Sequence, residues 1–504
     1  MAKLLFFSNI ESMKIFSLLL ITIFSSLTLI SCEGNSVNFD AKNKLPNIVL
    51  IYADDLGYGD LSSFGALDYK TPNLDKLAAK GMRFTNFEVA QAVCSASRAG
   101  IMTGCYPNRI GIHGALNPHA KIGLHPNEET IAELVKKAGN YTCAIYGKWH
   151  LGHLKPFLPS NQGFDEYVGV PYSNDMWKWT YDMKLATKET HARKASYPEL
   201  PLMAGDTVWK TIENLEDQAA LTTIYTEKAV DFIRKNKNQP FFLCVPHSMP
   251  HVPIAVSDKF KGKSNQGLYG DVIMEIDWSV GEIVKELEKH NLTENTLVIF
   301  TSDNGPWLNF GNHAGSTGGL REGKGTVFEG GQRVPCIMKW PGVIPEGEVC
   351  NQLASTIDFF PTIASFLNIE TSGNKIDGVS ILPLMQGNDK ARPRQIFYYY
   401  YHGSSLEAVR KNNWKLVFPH EHRTYVGHDP GRGGLKGGTG QAKTELAWYD
   451  LRRDPGERYN VQQSYPEIVK ELEDIGAEAR RDLGDDLQNI KGENVREPGK
   501  INEL

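Results

Sequence analysis

Apolar runs and amphipathic runs alternate along most of this chain. PNIVLIYADDLG (46–57) is a continuous apolar run ending in two aspartates, the pattern of a strand buried on both faces. NLDKLAAKG follows, with Leu74, Leu77 and Ala78 at helical spacing and Gly81 as a stop. NEETIAELVKKAG (127–139) predicts a second helix, with Asn127 as its N-cap, leading into the strand YTCAIYGKWH. A helix over 222–236 precedes PFFLCVPH, and one over about 270–290 precedes TLVIFTSDNG (296–305). Helix alternating with apolar strand predicts an α/β domain whose mostly parallel sheet is flanked by helices.

The texture changes near Arg392. RPRQIFYYYYHG, AVRKNNWKLVF and TELAWYDLRRDP read as short antiparallel strands, with a glycine-rich loop at 427–440 between them. A last helix is expected over Pro466–Leu483, and the polar final twenty or so residues are expected to be loose. The reading is a catalytic-type domain at 46–392 and a smaller α+β domain with an antiparallel sheet at 393–504. No solenoid-type repeat interrupts this pattern.

The N-terminus follows a different rule. From Met13, which serves equally well as a start, MKIFSLLLITIFSSLTLISC has a lysine and an apolar run from Ile15 to Ile30. That run is short for a membrane span and suits a signal segment. LISC resembles a bacterial lipobox, implying cleavage before Cys32 and lipidation of its sulfur; an ordinary signal peptide is the alternative. Residues 1–32 would then be removed or anchored, with 33–45 a polar tether. The expected location is outside the cytoplasm, held on a bacterial membrane as a lipoprotein, or soluble in the periplasm or medium if Cys32 is unmodified.

Bulk composition changes the picture only slightly. The 504 residues allow a sizeable core, and a net charge of −5 gives no reason to expect a nucleic-acid partner. Seven cysteines are too few for a disulfide scaffold, and the odd count leaves one without an internal partner. Few disulfides are expected, at most one.

The chemistry concentrates where the strands end. In open α/β sheets, ligands bind beyond the carboxyl ends of the strands. One strand ends in Asp54 and Asp55, another in Asp303 and Asn304. Such carboxylates repel unless a cation sits between them, and an all-oxygen set suits calcium or magnesium better than zinc. Taken singly, the same residues are also good turn formers. Lys148 and His150 follow a third strand, His247 and His251 a fourth, and Lys324 lies in the glycine-rich REGKGTVFEGG. Cys94 and Arg98 sit in VCSASRAGIMTG, a polar setting unusual for a structural cysteine.

CSASRAGIMTG resembles the Cys-x-Pro/Ala-x-Arg signature of the type I sulfatases. The resemblance extends through NIVLIYADDLGYGD, GKWHLG, PHSMPHVP, TSDNG, GKGTVFEGGQRVP and YDLRRDPGERYN, in family order, with the flavour of the arylsulfatase A and N-acetylgalactosamine-6-sulfatase group. It implies an alkaline-phosphatase-like fold and hydrolysis of a sulfate ester, on a sulfated carbohydrate. It further implies that a maturase oxidises Cys94 to formylglycine before folding; Ala96 stands where many members have proline. Asp54, Asp55, Asp303 and Asn304 would hold one calcium ion beside residue 94. The hydrated aldehyde would attack sulfur to give a covalent sulfo-enzyme. Arg98 would hold a diol oxygen, and Lys148 and Lys324 the sulfate. His251 and Lys324 would serve the leaving alcohol, and His150 would be the base that releases sulfate. His247 is left open between substrate contact and a supporting role. Two alternatives stand beside this reading: a phosphonate or phosphodiester hydrolase of the alkaline phosphatase superfamily, and a non-catalytic glycan-binding lipoprotein. Sugar-recognising residues are expected in the loops 171–182, 398–405 and 419–434.

Overall fold

The computed structural model describes residues 44–501. The signal segment, Cys32 and most of the 33–45 tether therefore lie outside the described residues. Ten strands form the main sheet: β1 (Asn47–Ala53), β2 (Met82–Phe84), β3 (Thr142–Tyr146), β4 (Glu166–Gly169), β5 (Leu200–Ala204), β6 (Thr207–Ile212), β7 (Phe241–Pro246), β8 (Thr296–Ser302), β9 (Cys336–Lys339) and β10 (Glu348–Cys350). Their order is β10-β2-β9-β8-β1-β7-β3-β4-β5-β6. The central run β8-β1-β7-β3-β4 is parallel throughout. The expected mostly parallel sheet is present.

Why β1 reads as continuously apolar is visible in its two faces. Side chains alternate across a strand. Ile48, Leu50 and Tyr52 enter one core with Met102, Phe359 and Ile363. Val49, Ile51 and Ala53 enter the other with Leu77, Phe232, Ile276 and Val280. The helices that cover these faces are α1 (Pro72–Ala79), α2 (Cys94–Thr103), α3 (Leu221–Asn236), α4 (Leu268–Lys289) and α5 (Phe359–Leu367). Burial of each large apolar side chain contributes roughly 1.5–3 kcal/mol.

Two expectations need correction. The helix expected over 127–139 spans only Ile131–Lys136 and is capped by Thr130, not Asn127. The reason is spacing: Thr130 and Glu133 form a reciprocal capping box, whereas the Asn127 N–H turns back to Nδ1 of His125 at 3.0 Å. The strands β5 and β6, for which the sequence pattern gave no expectation, extend the sheet. The chain end is not loose: Gly499–Lys500 pairs with Ile122–Gly123, and Arg496 forms a two-pronged ion pair with Glu128 at 2.6 and 2.8 Å. Just upstream, the wholly buried Arg109 joins Asp377, Asp482 and the carbonyl of Asn494.

The C-terminal strands β11 (Ile396–Tyr401), β12 (Ser405–Lys411), β13 (Trp414–Val417) and β14 (Ala447–Asp450) form an antiparallel sheet. Helix α6 (Pro466–Leu483) packs on it through Leu472, Ile475 and Ala479. This core also takes in Tyr106, Val327 and Phe328 from the preceding part of the chain. Buried ions strengthen the junction. Arg410 contacts Glu88 at 2.9 Å, and Lys415 contacts Glu329 at 3.0 Å and Glu457 at 2.9 Å. The segment anchored in this way is the one that carries Lys324. The six described cysteines are all buried and free.

Candidate active site

Four parallel strands deliver the site from their carboxyl ends. Asp54 and Asp55 follow β1, Asp303 and Asn304 follow β8, and Lys148 and His150 follow β3. His251 lies five residues past the end of β7. Gly147 makes the junction with β3 close enough: it has φ +146°, and a β-carbon there would lie 2.0 Å from the carbonyl oxygen of Pro246. Helix α2 begins at Cys94 and is buried along its whole length, ending on Gly104 at φ +70°. Small residues permit such burial, and the helix N-terminus brings its partial positive charge to Cys94.

The groups interlock. The thiol of Cys94 donates to Oδ1 of Asp54 at 3.2 Å and accepts from Nζ of Lys324 at 3.3 Å. Lys324 also contacts Oδ1 of Asp55 at 2.6 Å. Lys148 pairs with Oδ2 of Asp54 and donates to Ser173 at 3.2 Å. Arg98 donates from Nε to Asp303 at 2.8 Å and from Nη1 to the Lys148 carbonyl at 2.5 Å. The Asp55 N–H donates to Oδ1 of Asp303 at 3.2 Å, and Asn304 donates to Oδ1 of Asp55 at 2.6 Å. Ligating atoms of Asp54, Asp55, Cys94 and His251 all lie within 4.8 Å of one another; among the described residues no other such group occurs.

Three buried polar atoms in this network have no hydrogen-bond partner, Oδ2 of Asp55, Oδ1 of Asn304 and Nδ1 of His150, and Nη2 of Arg98 has only an ion-pair contact with Asp54 at 3.3 Å. Leaving such atoms unsatisfied costs about 1–3 kcal/mol each, so a site that keeps several together is built for a polar ligand. The two free oxygens, with Asp54 and Asp303, offer the hard donor set a calcium ion takes.

Ring tautomers follow from the partners. A carbonyl only accepts, so the Leu116 carbonyl, 2.9 Å from Nε2 of His150, puts the ring proton there. Nδ1 of His150 then carries a free lone pair. Burial, with Lys148 and Arg98 nearby, holds this imidazole well below the usual histidine range, in its neutral form. In His251 the Val252 carbonyl takes the Nδ1 proton at 2.6 Å, and Nε2 faces Ser173 at 3.5 Å and Asp55 at 3.7 Å. Burial raises the Cys94 thiol far above its usual range, with Asp54 adding to the effect, so the unmodified sulfur is a protonated, poor nucleophile. Burial alone would raise Asp54, but Lys148, His251 and Arg98 together hold it well below the carboxylate range.

The structure thus brings together Asp54, Asp55, Cys94, Arg98, Lys148, His150, His251, Asp303, Asn304 and Lys324. His247 does not join them. It is wholly buried, with Nε2 3.2 Å from Ser279 of α4 and its ring beside Tyr225 of α3. The tyrosine run is also corrected: Tyr399 and Tyr400 are core residues of β11, and a register shift between them lets two consecutive side chains enter the same core. Sequence reasoning missed Ser173, which bridges Lys148 and His251, and Trp307, whose ring lies 4.9 Å from Nζ of Lys324 and 5.7 Å from the His251 ring. Both sit in loops, where no periodic signal exists to single them out.

A family model described as Sulfatase matches residues 46–369, and one described as the C-terminal region of aryl-sulfatase matches 392–499. The chain is 39% identical over 442 residues to N-acetylgalactosamine-6-sulfatase of Rattus norvegicus, covering 82% of this chain and 81% of the relative. It is 38% identical over 440 residues to arylsulfatase A of Bos taurus, covering 84% and 85%. The crystal structure of the PsFucS1 sulfatase from Pseudoalteromonas sp. superposes with a TM-score of 0.76 at 27% identity, covering 94% of this chain and 95% of that one. With that breadth of match laid over a complete set of strand-end residues, this chain belongs to the sulfatase family and is a hydrolase of sulfate esters.

Proposed function

We propose that the chain removes sulfate from a sulfated carbohydrate, with Cys94 oxidised to formylglycine and one calcium ion held by Asp54, Asp55, Asp303 and Asn304. The observation that carries this reading is the set of unpartnered buried atoms around Cys94, in a site where three carboxylates face three cations. The saccharide follows from the N-acetylgalactosamine-6-sulfatase relative. When present, the cation polarises a sulfate oxygen and the hydrated aldehyde supplies an oxygen nucleophile.

The remaining work falls to the chain's own side chains. Lys148 and Lys324 flank the sulfur position and stabilise charge on the transferring group. Arg98, fixed by Asp303 and the Lys148 carbonyl, has Nη2 paired only with Oδ2 of Asp54 at 3.3 Å, without a hydrogen bond, and would turn it to an oxygen on residue 94. The unpartnered Nδ1 of His150 takes a proton when sulfate is released. His251 faces Asp55 and Ser173 with Nε2; protonated at that nitrogen, the ring would hand the proton to the departing sugar alcohol and return to the neutral form with its proton on Nδ1.

The test has two arms. Mass spectrometry of the peptide containing residue 94 reads the modification, and sulfate release from sulfated saccharides is compared with phosphate release from the matching phosphate esters. Native protein with an unmodified thiol and full turnover would overturn the nucleophile. Faster phosphate or phosphonate cleavage would favour the alternative hydrolase. Export with a lipid on Cys32 is inferred from LISC after the apolar run. Fractionation of cells carrying wild type and Cys32→Ala tests it: identical soluble partitioning removes the anchor.

A further inference from the structure

Beside Lys324 lies a second cation that the chemistry above does not use. Arg423 stands on the strand His420–Thr424, which pairs with Gly440–Thr444. Its side chain is half-buried, yet among the described residues no carboxylate lies within ion-pairing distance of it. Arg333, Arg394 and Arg410, also in the C-terminal half, each face a carboxylate. The contacts of Arg423 are neutral. Nη1 donates to the hydroxyl of Tyr425 at 3.4 Å, and that hydroxyl donates to the carbonyl of Lys324 at 2.6 Å.

Gly325 fixes the place. It has φ +85°, and a β-carbon there would lie 3.0 Å from both Nη1 of Arg423 and the hydroxyl of Tyr401. The guanidinium is therefore one residue along the chain from Lys324, whose ammonium touches Cys94. The phenol of Tyr401 lies within electrostatic reach of Arg423, Lys324 and Cys94 together. The charge of Lys324 is balanced by Asp55, and that of Arg423 by nothing. A desolvated cation without a counter-charge is costly unless a ligand supplies one. Its planar fork suits a carboxylate or a sulfate equally well. In the reading above a single sulfate at Cys94 is already met by Lys148 and Lys324, so the anion at Arg423 is taken to be a different group on the same substrate.

We propose that Arg423, framed by the hydroxyls of Tyr401 and Tyr425, is the subsite for a second anionic group, sulfate or carboxylate, of the saccharide whose sulfate ester lies at Cys94. The proposal rests on the reading of this chain as a carbohydrate sulfatase. It makes the enzyme selective for substrates with two negative charges.

The experiment compares kcat/KM on three probes: N-acetylgalactosamine 6-sulfate, its 4,6-disulfated counterpart, and the 6-sulfated sugar linked to a uronate. Wild type is expected to prefer one of the two doubly charged probes, and which one distinguishes sulfate from carboxylate. Arg423→Gln is expected to lower that preference roughly ten- to hundredfold, chiefly through KM, as loss of a charge-assisted hydrogen bond does. Arg423→Lys should retain part of it. An unchanged preference in Arg423→Gln, or none in wild type, overturns the subsite. Calorimetric binding of the same probes to Cys94→Ala protein separates the two ideas. Binding that depends on Arg423 without any turnover in wild type removes the hydrolytic reading and keeps the subsite. Turnover without Arg423-dependent selectivity does the reverse.

Discussion

Arg109→Met tests whether the chain end is held by buried charge. Arg109 is wholly buried and donates to Asp377 from Nε at 2.8 Å and from Nη2 at 2.6 Å, to Asp482 at 2.6 Å and to the Asn494 carbonyl at 2.8 Å. Methionine keeps the length and removes every donor. Breaking a buried pair by deleting one partner costs about 3–5 kcal/mol. Part of that is recovered here. Asp482 keeps Lys375 at 2.6 Å and Asn494 at 2.7 Å, whereas Asp377 keeps only the Tyr106 N–H at 2.8 Å. The expected loss is thus about 2–4 kcal/mol, near the lower half of that range. For a domain of this size the entropy of unfolding is about 1 kcal/mol per degree, so the melting temperature should fall by only about 2–4 °C. A urea midpoint followed by tryptophan fluorescence is the better readout. Limited proteolysis should cut the segment 486–501 sooner in the variant. The double variant Arg109→Met with Asp377→Asn should regain much of the loss, because the stranded carboxylate is gone. A midpoint for Arg109→Met indistinguishable from wild type, or a double variant worse than the single one, would refute the reasoning.

Three further outcomes follow from the same geometry. His247 is pushed by burial from 6.5 to about 4, so the unfolded chain binds a proton that the folded one refuses. The stability this residue confers is full above about pH 6.5 and falls by about 3 kcal/mol as pH drops towards 4; His247→Gln should flatten stability between pH 7 and 4.5, and an unaltered slope counts against the assignment. Calcium at a hundred times its Kd should stabilise wild type by about 2.7 kcal/mol, and Asp303→Ala should abolish that increment in a thermal scan; an equal increment in both proteins places the ion elsewhere. Gly147→Ala forces a β-carbon to 2.0 Å from the Pro246 carbonyl and should lower turnover at least tenfold by displacing Lys148; full activity would show that the strand end yields without cost.

The parallel sheet was legible because β1, β7 and β8 are buried on both faces, which forces unbroken apolar runs such as NIVLIYA and TLVIFTS. The carboxylate half of the site was legible for the same reason, since carboxylates stand out directly after such runs. The edge strands were not. β6 exposes Val208 at 59% and Trp209 at 53%, so little burial constrains its composition. Loop contributors such as Ser173 act through position alone, and Arg423 becomes conspicuous only when its lack of a counter-charge can be seen. The tyrosines at 398–401 misled because an aromatic run suits a sugar face and a sheet core equally; the structure buries Tyr399 and Tyr400 and leaves Tyr401 towards the site. The chain end looked polar and loose because its order comes from ion pairs with residues several hundred positions away.

That docking of the chain end sets a clock. Cys94 is 2% exposed, at the head of a helix buried throughout, and the segment just after that helix is closed by Asn494, Arg496 and Gly499. These residues follow Cys94 by some 400 positions along the chain. At about 5–20 residues per second, some 20–80 s separate the emergence of Cys94 from that of its final clasps. The oxidation proposed for Cys94 therefore has an interval in which the contacts of Asn494, Arg496 and Gly499 with residues 109 and 123 cannot yet have formed. A chain released early, or truncated before residue 494, keeps that interval open.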